Sequence, residues 1–325
     1  MQAKPISEGW YQNSIASATQ FVGKGAKLAL GHLFDLADIY KRSVNGTRAQ
    51  KASVGDVLKG AVIYGVFGEA STRTSGSFQQ AVKMMGATDL WLANKDSTSL
   101  TKGESLADML RTIDSYNPDL LIMRHSDVGS AELACEIMRC PYINAGNGSD
   151  QHPTQALLDI YTMECDAGGI EGKHVVLAGD LLHGRTVHSL VQIMAQHNPR
   201  TVTAVADDSL QLPEKYLEEA HKHGINVVRA NELPDPRNCD IVYNTRLQEE
   251  RFKGVDPEKI QAAYERTQIT KRFLDGLPEH AMVMHPLPRN DEIPESVTEH
   301  PRIQMFDQAG NGLPVRMALL DRILN

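Results

Sequence analysis

Short apolar runs rich in Val, Ile and Leu recur along this chain, each followed by a polar turn and a stretch of helical or loop character. In the first half they fall at 61–67, 88–93, 119–124 and 141–144, with helix-like stretches at roughly 76–86, 104–115 and 130–138. A helix start at His152-Pro153-Thr154-Gln155 renews the pattern, and further runs follow at 174–178, 201–206, 225–228, 240–243 and 281–285. Strands this short, alternating with helices, predict parallel sheets, because a parallel connection needs a crossover long enough to hold a helix. The expected fold class is therefore α/β, with two domains that each carry a mainly parallel sheet flanked by helices. A length of 325 residues exceeds the usual size of one core and supports two domains.

In such sheets ligands bind outside the carboxyl ends of the strands, so the residues that follow each apolar run carry the functional information. Composition narrows what they serve. A formal net charge of −8 and a pI near 5.8 argue against nucleic acid, which leaves a basic patch or stripe on its partners. Small anions stay open as ligands, because a few clustered arginines make a positive cleft on an acidic protein. No apolar run approaches the ~20 residues that span a bilayer, and the start MQAKPISEGWYQNS lacks a charged-then-apolar signal pattern. Cys135, Cys140, Cys165 and Cys239 form no CxxC pair and no metal-ligand spacing with histidine. They are expected as free, mostly buried thiols, in a cytoplasmic protein with no membrane partner.

The first strand end reads GEASTRTSGSF at 68–78, where the hydroxyls of Ser71, Thr72 and Thr74 flank Arg73. A helix start there would offer unpaired N–H groups and the positive end of the dipole to a phosphate; simple capping by Ser and Thr is the other reading. Arg124-His125 closes the run Leu120-Leu121-Ile122-Met123, either for a ligand or for a structural ion pair. In GSDQHPTQ at 148–155, Pro153 suits a first helical position, which sets His152 about at the cap and Gln155 one turn inside. Arg185 stands at a helix start after the run HVVLA, placed for a carboxylate or for a salt bridge. Thr245-Arg246-Leu247-Gln248 follows DIVY, and His285-Pro286-Leu287-Pro288-Arg289 follows the last apolar run. Prolines on both sides of Leu287 stiffen that loop and present carbonyls that can accept from an amide NH₂. Arg73, Arg124, Arg185 and Arg246 thus all stand just after strands, with no nucleophile triad or metal cluster beside them. This set suits a reaction between two anions in which donors stabilise developing charge.

The blocks Ser71-Thr72-Arg73-Thr74, Ser99-Leu100-Thr101-Lys102-Gly103-Glu104, Met123-Arg124-His125, Asn144-Ala145-Gly146 and His152-Pro153-Thr154-Gln155-Ala156-Leu157-Leu158-Asp159 occur in that order. Gly179-Asp180, Gly184-Arg185-Thr186-Val187-His188-Ser189-Leu190, Thr245-Arg246-Leu247-Gln248, His285-Pro286-Leu287-Pro288-Arg289 and Gln308-Ala309-Gly310-Asn311-Gly312 continue the series. With them the chain resembles the catalytic chains of the aspartate carbamoyltransferase family, from about residue 60 to the end. The resemblance implies the carbamoyltransferase fold: a carbamoyl-phosphate-binding domain over 1–152 plus 308–325 and an aspartate-binding domain over 153–307. It implies transfer of the carbamoyl group of carbamoyl phosphate to L-aspartate in pyrimidine biosynthesis, with no metal or organic cofactor. It also implies a homotrimer with active sites shared between subunits, as a free trimer or with regulatory chains.

Carried over residue by residue, the resemblance gives the phosphate to Ser71, Thr72, Arg73 and Thr74, helped by Arg124 and by Ser99 and Lys102 of a neighbouring subunit. Thr74, Arg124 and His152 would polarise the carbonyl oxygen. Gln155 and the backbone carbonyls of Pro286 and Leu287 would hold the carbamoyl NH₂. Arg185 and Thr186 would take one aspartate carboxylate, and Arg246, Gln248 and Lys102 the other. Ser75-Gly76 stands where many relatives have arginine and leucine, Glu249 where a basic residue is frequent, and Asp307 where arginine or glutamine is common. An ornithine-type enzyme, which usually carries SMG and HCLP motifs where this chain has Gly184-Arg185-Thr186 and His285-Pro286-Leu287-Pro288, is one alternative. A non-catalytic homologue is another. A nucleotide-dependent dehydrogenase lacks support without a glycine fingerprint.

Overall fold

The structure, a computed structural model, describes residues 14–23, 25–69, 71–92, 103–248 and 257–325. The chain divides into two compact units, with the divisions at Leu158/Asp159 and Gly310/Asn311.

The first unit carries α1 (Ala26–Asn45), α2 (Arg48–Ala52), β1 (Val62–Phe67), α3 (Thr72–Met84), β2 (Thr88–Leu92), α4 (Leu106–Ser115), β3 (Leu120–His125), α5 (Ser130–Ile137) and β4 (Tyr142–Asn147), and the start of α6 (Pro153–Ala167). Among the described residues its four strands are all parallel, in the order β2-β1-β3-β4. Leu121 and Met123 of β3 pack with Met109, Leu110 and Ile113 of α4 and with Ala131 and Ala134 of α5, so helices cover a sheet face as parallel pairing requires. At the outer strand the Trp91 indole stacks on Phe67 with centroids 5.3 Å apart, and its Nε1 donates to Ser75 Oγ at 2.8 Å. The same ring lies flat against Gly65, where a Cβ would collide with it.

The second unit carries β5 (His174–Ala178), α7 (Arg185–Met194), β6 (Thr201–Val205), α8 (Glu214–Lys222), β7 (Val227–Ala230), β8 (Ile241–Asn244), α9 (Pro257–Thr267), α10 (Lys271–Gly276), β9 (Met282–Met284) and the start of α11 (Met305–Leu324). Its strands are again all parallel, in the order β7-β6-β5-β8-β9. Val176, Val242 and Val283 of three strands meet Phe273, Leu274 and Leu277 in its core. Among the described residues no helix is long and apolar enough to cross a membrane.

All the apolar runs form strands, with ends shifted by more than one residue in two: β4 continues to Asn147, and β7 covers 227–230 rather than 225–228. The helix after β1 starts at Thr72, four residues before the sequence suggests. Hydroxyl residues and Gly76 read as loop by propensity, yet the first turn of a helix tolerates Ser and Thr. The four cysteines are free, but the expectation that most are buried is wrong. Cys239 is buried and Cys140 half-buried, whereas Cys135 and Cys165 fall on the solvent sides of α5 and α6.

Candidate active site

The first sheet reverses its strand order between β1 and β3, and the crevice outside those two carboxyl ends is where an α/β sheet takes a ligand. Both arginine clusters of the first half end there. Ser71 occupies the N-cap position of α3, with Thr72, Arg73 and Thr74 as its first turn. Its side chain makes no capping bond to the helix; the hydroxyl accepts from Arg124 Nη1 at 3.3 Å. Capping is therefore not what Ser71 does. Ser71 leaves the positive pole of the helix start open, which suits an anion.

Arg124 lies near the end of β3, and its Nε also donates to Glu69 Oε2 at 3.2 Å. A carboxylate from the β1 turn and a hydroxyl from the helix start thus fix this guanidinium. Arg73 is exposed by area; partial desolvation lowers its pKa from the ordinary value, and a guanidinium stays cationic regardless. Thr74 and His152 are both buried, and Thr74 Oγ1 lies 3.2 Å from His152 Nε2. His152 directly precedes α6, which begins at Pro153 as its sequence predicts. Asparagines shape the turn that delivers it. Asn144 Nδ2 donates to Asn147 Oδ1 at 3.0 Å, Gly146 N to Asn144 Oδ1 at 2.7 Å, and Gln151 N to Asn147 Oδ1 at 3.2 Å. Gln155 is buried in the first turn of α6.

The second sheet reverses between β5 and β8. Gly179 follows β5 with φ +109°, and a Cβ there would strike the Thr245 carbonyl oxygen after β8. Only glycine fits a backbone approach that close. Asp180 is fully buried; it accepts from His183 N at 3.0 Å and from Gln248 N at 3.4 Å, and lies 3.1 Å from His183 Nδ1. Gln248 Nε2 returns a bond to His183 O at 2.9 Å. One carboxylate therefore ties the turn before α7 to the segment after β8. Arg185 and Thr186 open α7, whose N-cap Gly184 has no side chain to cover the helix pole. Arg246 is half-buried between Thr245, whose N–H donates to Ala178 O at 2.8 Å, and the buried Leu247. After β9, Leu287 has φ +57° and a cis bond to Pro288, and its N–H donates to His285 Nδ1 at 2.9 Å.

The second sheet's ligand side therefore offers two cations and a helix pole, which suits a dicarboxylate. Comparison with known proteins agrees with that division of labour. The aspartate/ornithine carbamoyltransferase carbamoyl-P binding domain matches residues 25–165, and the Asp/Orn binding domain of the same family matches residues 171–323. The chain belongs to the aspartate/ornithine carbamoyltransferase family. The chloroplastic aspartate carbamoyltransferase of Oryza sativa subsp. japonica is 38% identical over 298 residues, 91% of this chain and 82% of the relative. The aspartate carbamoyltransferase catalytic subunit of Methanopyrus kandleri is 37% identical over 315 residues, 95% of this chain and 96% of the relative. Aspartate transcarbamoylase of Trypanosoma cruzi solved with carbamoyl phosphate superposes with a TM-score of 0.89 at 36% identity, over 100% of this chain and 99% of that one.

Within this carbamoyltransferase, the site residues read from the sequence fall into two sets. Ser71, Thr72, Arg73, Thr74, Arg124, His152 and Gln155 stand at the strand ends of the first unit. Arg185, Thr186, Arg246, Gln248, Pro286 and Leu287 stand at those of the second. Ser99, Lys102 and Glu249 lie outside the described residues. Sequence reasoning gave no role to Glu69 or Asp180, both of which stand inside the quoted blocks. A carboxylate flanked by arginines and hydroxyls in an anion seat is the signal that points to them.

Proposed function

We propose that the protein transfers the carbamoyl group of carbamoyl phosphate to the amine of L-aspartate, giving N-carbamoyl-L-aspartate and phosphate for pyrimidine synthesis. The observation that carries the site assignment is the pairing of the uncapped start of α3 with Arg124 and the buried Thr74–His152 couple at one switch point. The first unit seats carbamoyl phosphate and the second seats aspartate. Arg73, Thr72, Thr74 and the α3 pole hold the phosphate, while Arg124, Thr74 and His152 donate to the carbonyl oxygen. Gln155 and the carbonyls of Pro286 and Leu287 orient the NH₂. Arg185 and Thr186 bind one aspartate carboxylate, and Arg246 and Gln248 the other.

The neutral amine attacks the carbonyl carbon, forming the C–N bond and a tetrahedral oxyanion. Donors fixed before the reaction stabilise that charge without reorganising. The C–O bond to phosphate then breaks, and the departing phosphate collects the amine proton. Two arginines in the acceptor half favour a dicarboxylate over the cationic side chain of ornithine. The working protein is a cytoplasmic homotrimer in which Ser99 and Lys102 of one subunit complete the phosphate seat of the next.

A bisubstrate mimic tests the assignment. Trypanosoma cruzi aspartate transcarbamoylase has been solved with N-(phosphonacetyl)-L-aspartic acid, and that structure superposes on this chain with a TM-score of 0.85. The compound is expected to raise the melting temperature by several degrees here, since ligand at about 1,000 times Kd stabilises by about 4 kcal/mol. No shift at millimolar mimic would remove the proposal.

A further inference from the structure

A continuous run of buried polar groups crosses the second unit, and both its ends are residues assigned to substrate. Tyr243, Asp159, Gln308, His285 and Glu292 are each 0–1% exposed. The hydroxyl of Thr186 hydrogen-bonds the Tyr243 phenol. Tyr243 Oη donates to Asp159 Oδ2 at 2.8 Å, and Gln308 Nε2 donates to Asp159 Oδ1 at 2.7 Å. Gln308 Oε1 accepts from His285 N at 2.8 Å, and His285 Nδ1 accepts from Leu287 N at 2.9 Å. Behind the imidazole, Nε2 lies 3.0 Å from Glu292 Oε1, within ion-pair distance though not aligned as a hydrogen bond. Asn290 N donates to the same oxygen at 2.8 Å.

Each link has a fixed direction. A carboxylate accepts only, so Tyr243 and Gln308 must both donate to Asp159. The Gln308 amide cannot be turned over, because its NH₂ would then face the His285 N–H. Leu287 sits at φ +57°, a left-handed conformation that a leucine rarely keeps without outside support. The bond from its N–H to His285 provides that support and sets where the Pro286 and Leu287 carbonyls point. Burial and the nearby Asp159 charge push the Tyr243 phenol far above its ordinary pKa, so it stays a neutral donor.

We infer that Asp159 is a positioning residue for both substrates. Through Tyr243 it anchors the Thr186 side chain, and with it the start of α7 that takes the aspartate carboxylate; through Gln308 and His285 it holds the turn whose carbonyls orient the carbamoyl NH₂. The inference rests on the site assignment proposed above, since it takes Thr186 and Leu287 as substrate contacts.

Tyr243→Phe removes one hydroxyl and keeps the ring in the core. It should raise the aspartate KM about tenfold, a factor equal to about 1.4 kcal/mol, and leave the carbamoyl phosphate KM within about twofold. Asp159→Asn keeps the bond from Gln308 on its carbonyl oxygen and lets Tyr243 accept from its NH₂, so it should stay within about threefold of wild-type kcat. Asp159→Leu should lose more than about thirtyfold. Arg185→Ala, measured beside them, separates two failures. If Arg185→Ala raises the aspartate KM and Tyr243→Phe only lowers the melting temperature, the chain is mere structure and the inference is overturned. An unchanged aspartate KM in Arg185→Ala overturns the site assignment, and the inference with it.

Discussion

Arg73→Ala should lower kcat/KM by about a thousandfold while leaving the fold intact. The side chain is exposed in the first turn of α3, and exposed positions away from packing change stability by only about 0.5 kcal/mol. Its catalytic loss is far larger. A hydrogen bond to a charged group is worth ~1.5–3 kcal/mol, and one lost donor to a developing anion costs ~3–4 kcal/mol of barrier. Charge moves onto the phosphate as the C–O bond breaks, so the guanidinium helps more in the transition state than in the bound substrate. The loss should therefore appear in kcat as well as in the carbamoyl phosphate KM. Arg73→Lys keeps the charge and loses the planar fork, so it should fall between wild type and alanine. His152→Ala should lose ~10²-fold in kcat, because it removes the group 3.2 Å from Thr74 as well as its own donor. Steady-state kinetics with a melting curve for each variant checks this; near-normal turnover in Arg73→Ala would refute the phosphate seat.

Arg246→Ala should raise the aspartate KM by about 30- to 100-fold and hardly change the carbamoyl phosphate KM, the range of one lost charge-assisted bond of ~2–3 kcal/mol. Geometry makes this arginine costly to remove. Its segment is held to β5 by the Thr245 N–H to Ala178 and to Asp180 by the Gln248 N–H. On the proposed assignment the side chain would meet the aspartate carboxylate from a backbone already in place, with less ordering entropy to lose on binding. Arg185→Ala at the α7 start should show the same one-sided effect on aspartate. A variant that raised both KM values equally would point instead to a disturbed second unit.

Much of this arrangement is legible in the sequence for a physical reason. Parallel strands buried on both faces are short continuous apolar runs, so HVVLA and TVTAVA announce themselves. Polar residues clustered straight after such runs mark the ligand side of the sheet. Strand order is different. Nothing in the periodicity says that β1 lies beside β3 or β5 beside β8, so the two switch points emerge only from the pairing. The early start of α3 was hidden because STRTSGS scores as loop by local propensity, and Ser71, for which capping was the other reading, is a partner of Arg124 instead. Tyr243 was hidden for the opposite reason: in DIVY it reads as one more apolar strand residue, and its hydroxyl matters only because Asp159 of α6 stands beside it. Side-chain partners far apart in sequence carry no local signal.

Carbamoylation by the purified protein tests the central claim most directly. Isotope-labelled carbamoyl phosphate would be supplied with L-aspartate or with L-ornithine, and the amine product and phosphate quantified by mass spectrometry and a phosphate assay. The account predicts labelled N-carbamoyl-aspartate and phosphate in equal amounts, with no carbamoyl-ornithine. Carbamoylated ornithine in excess, or phosphate released without any carbamoylated amine, would contradict it.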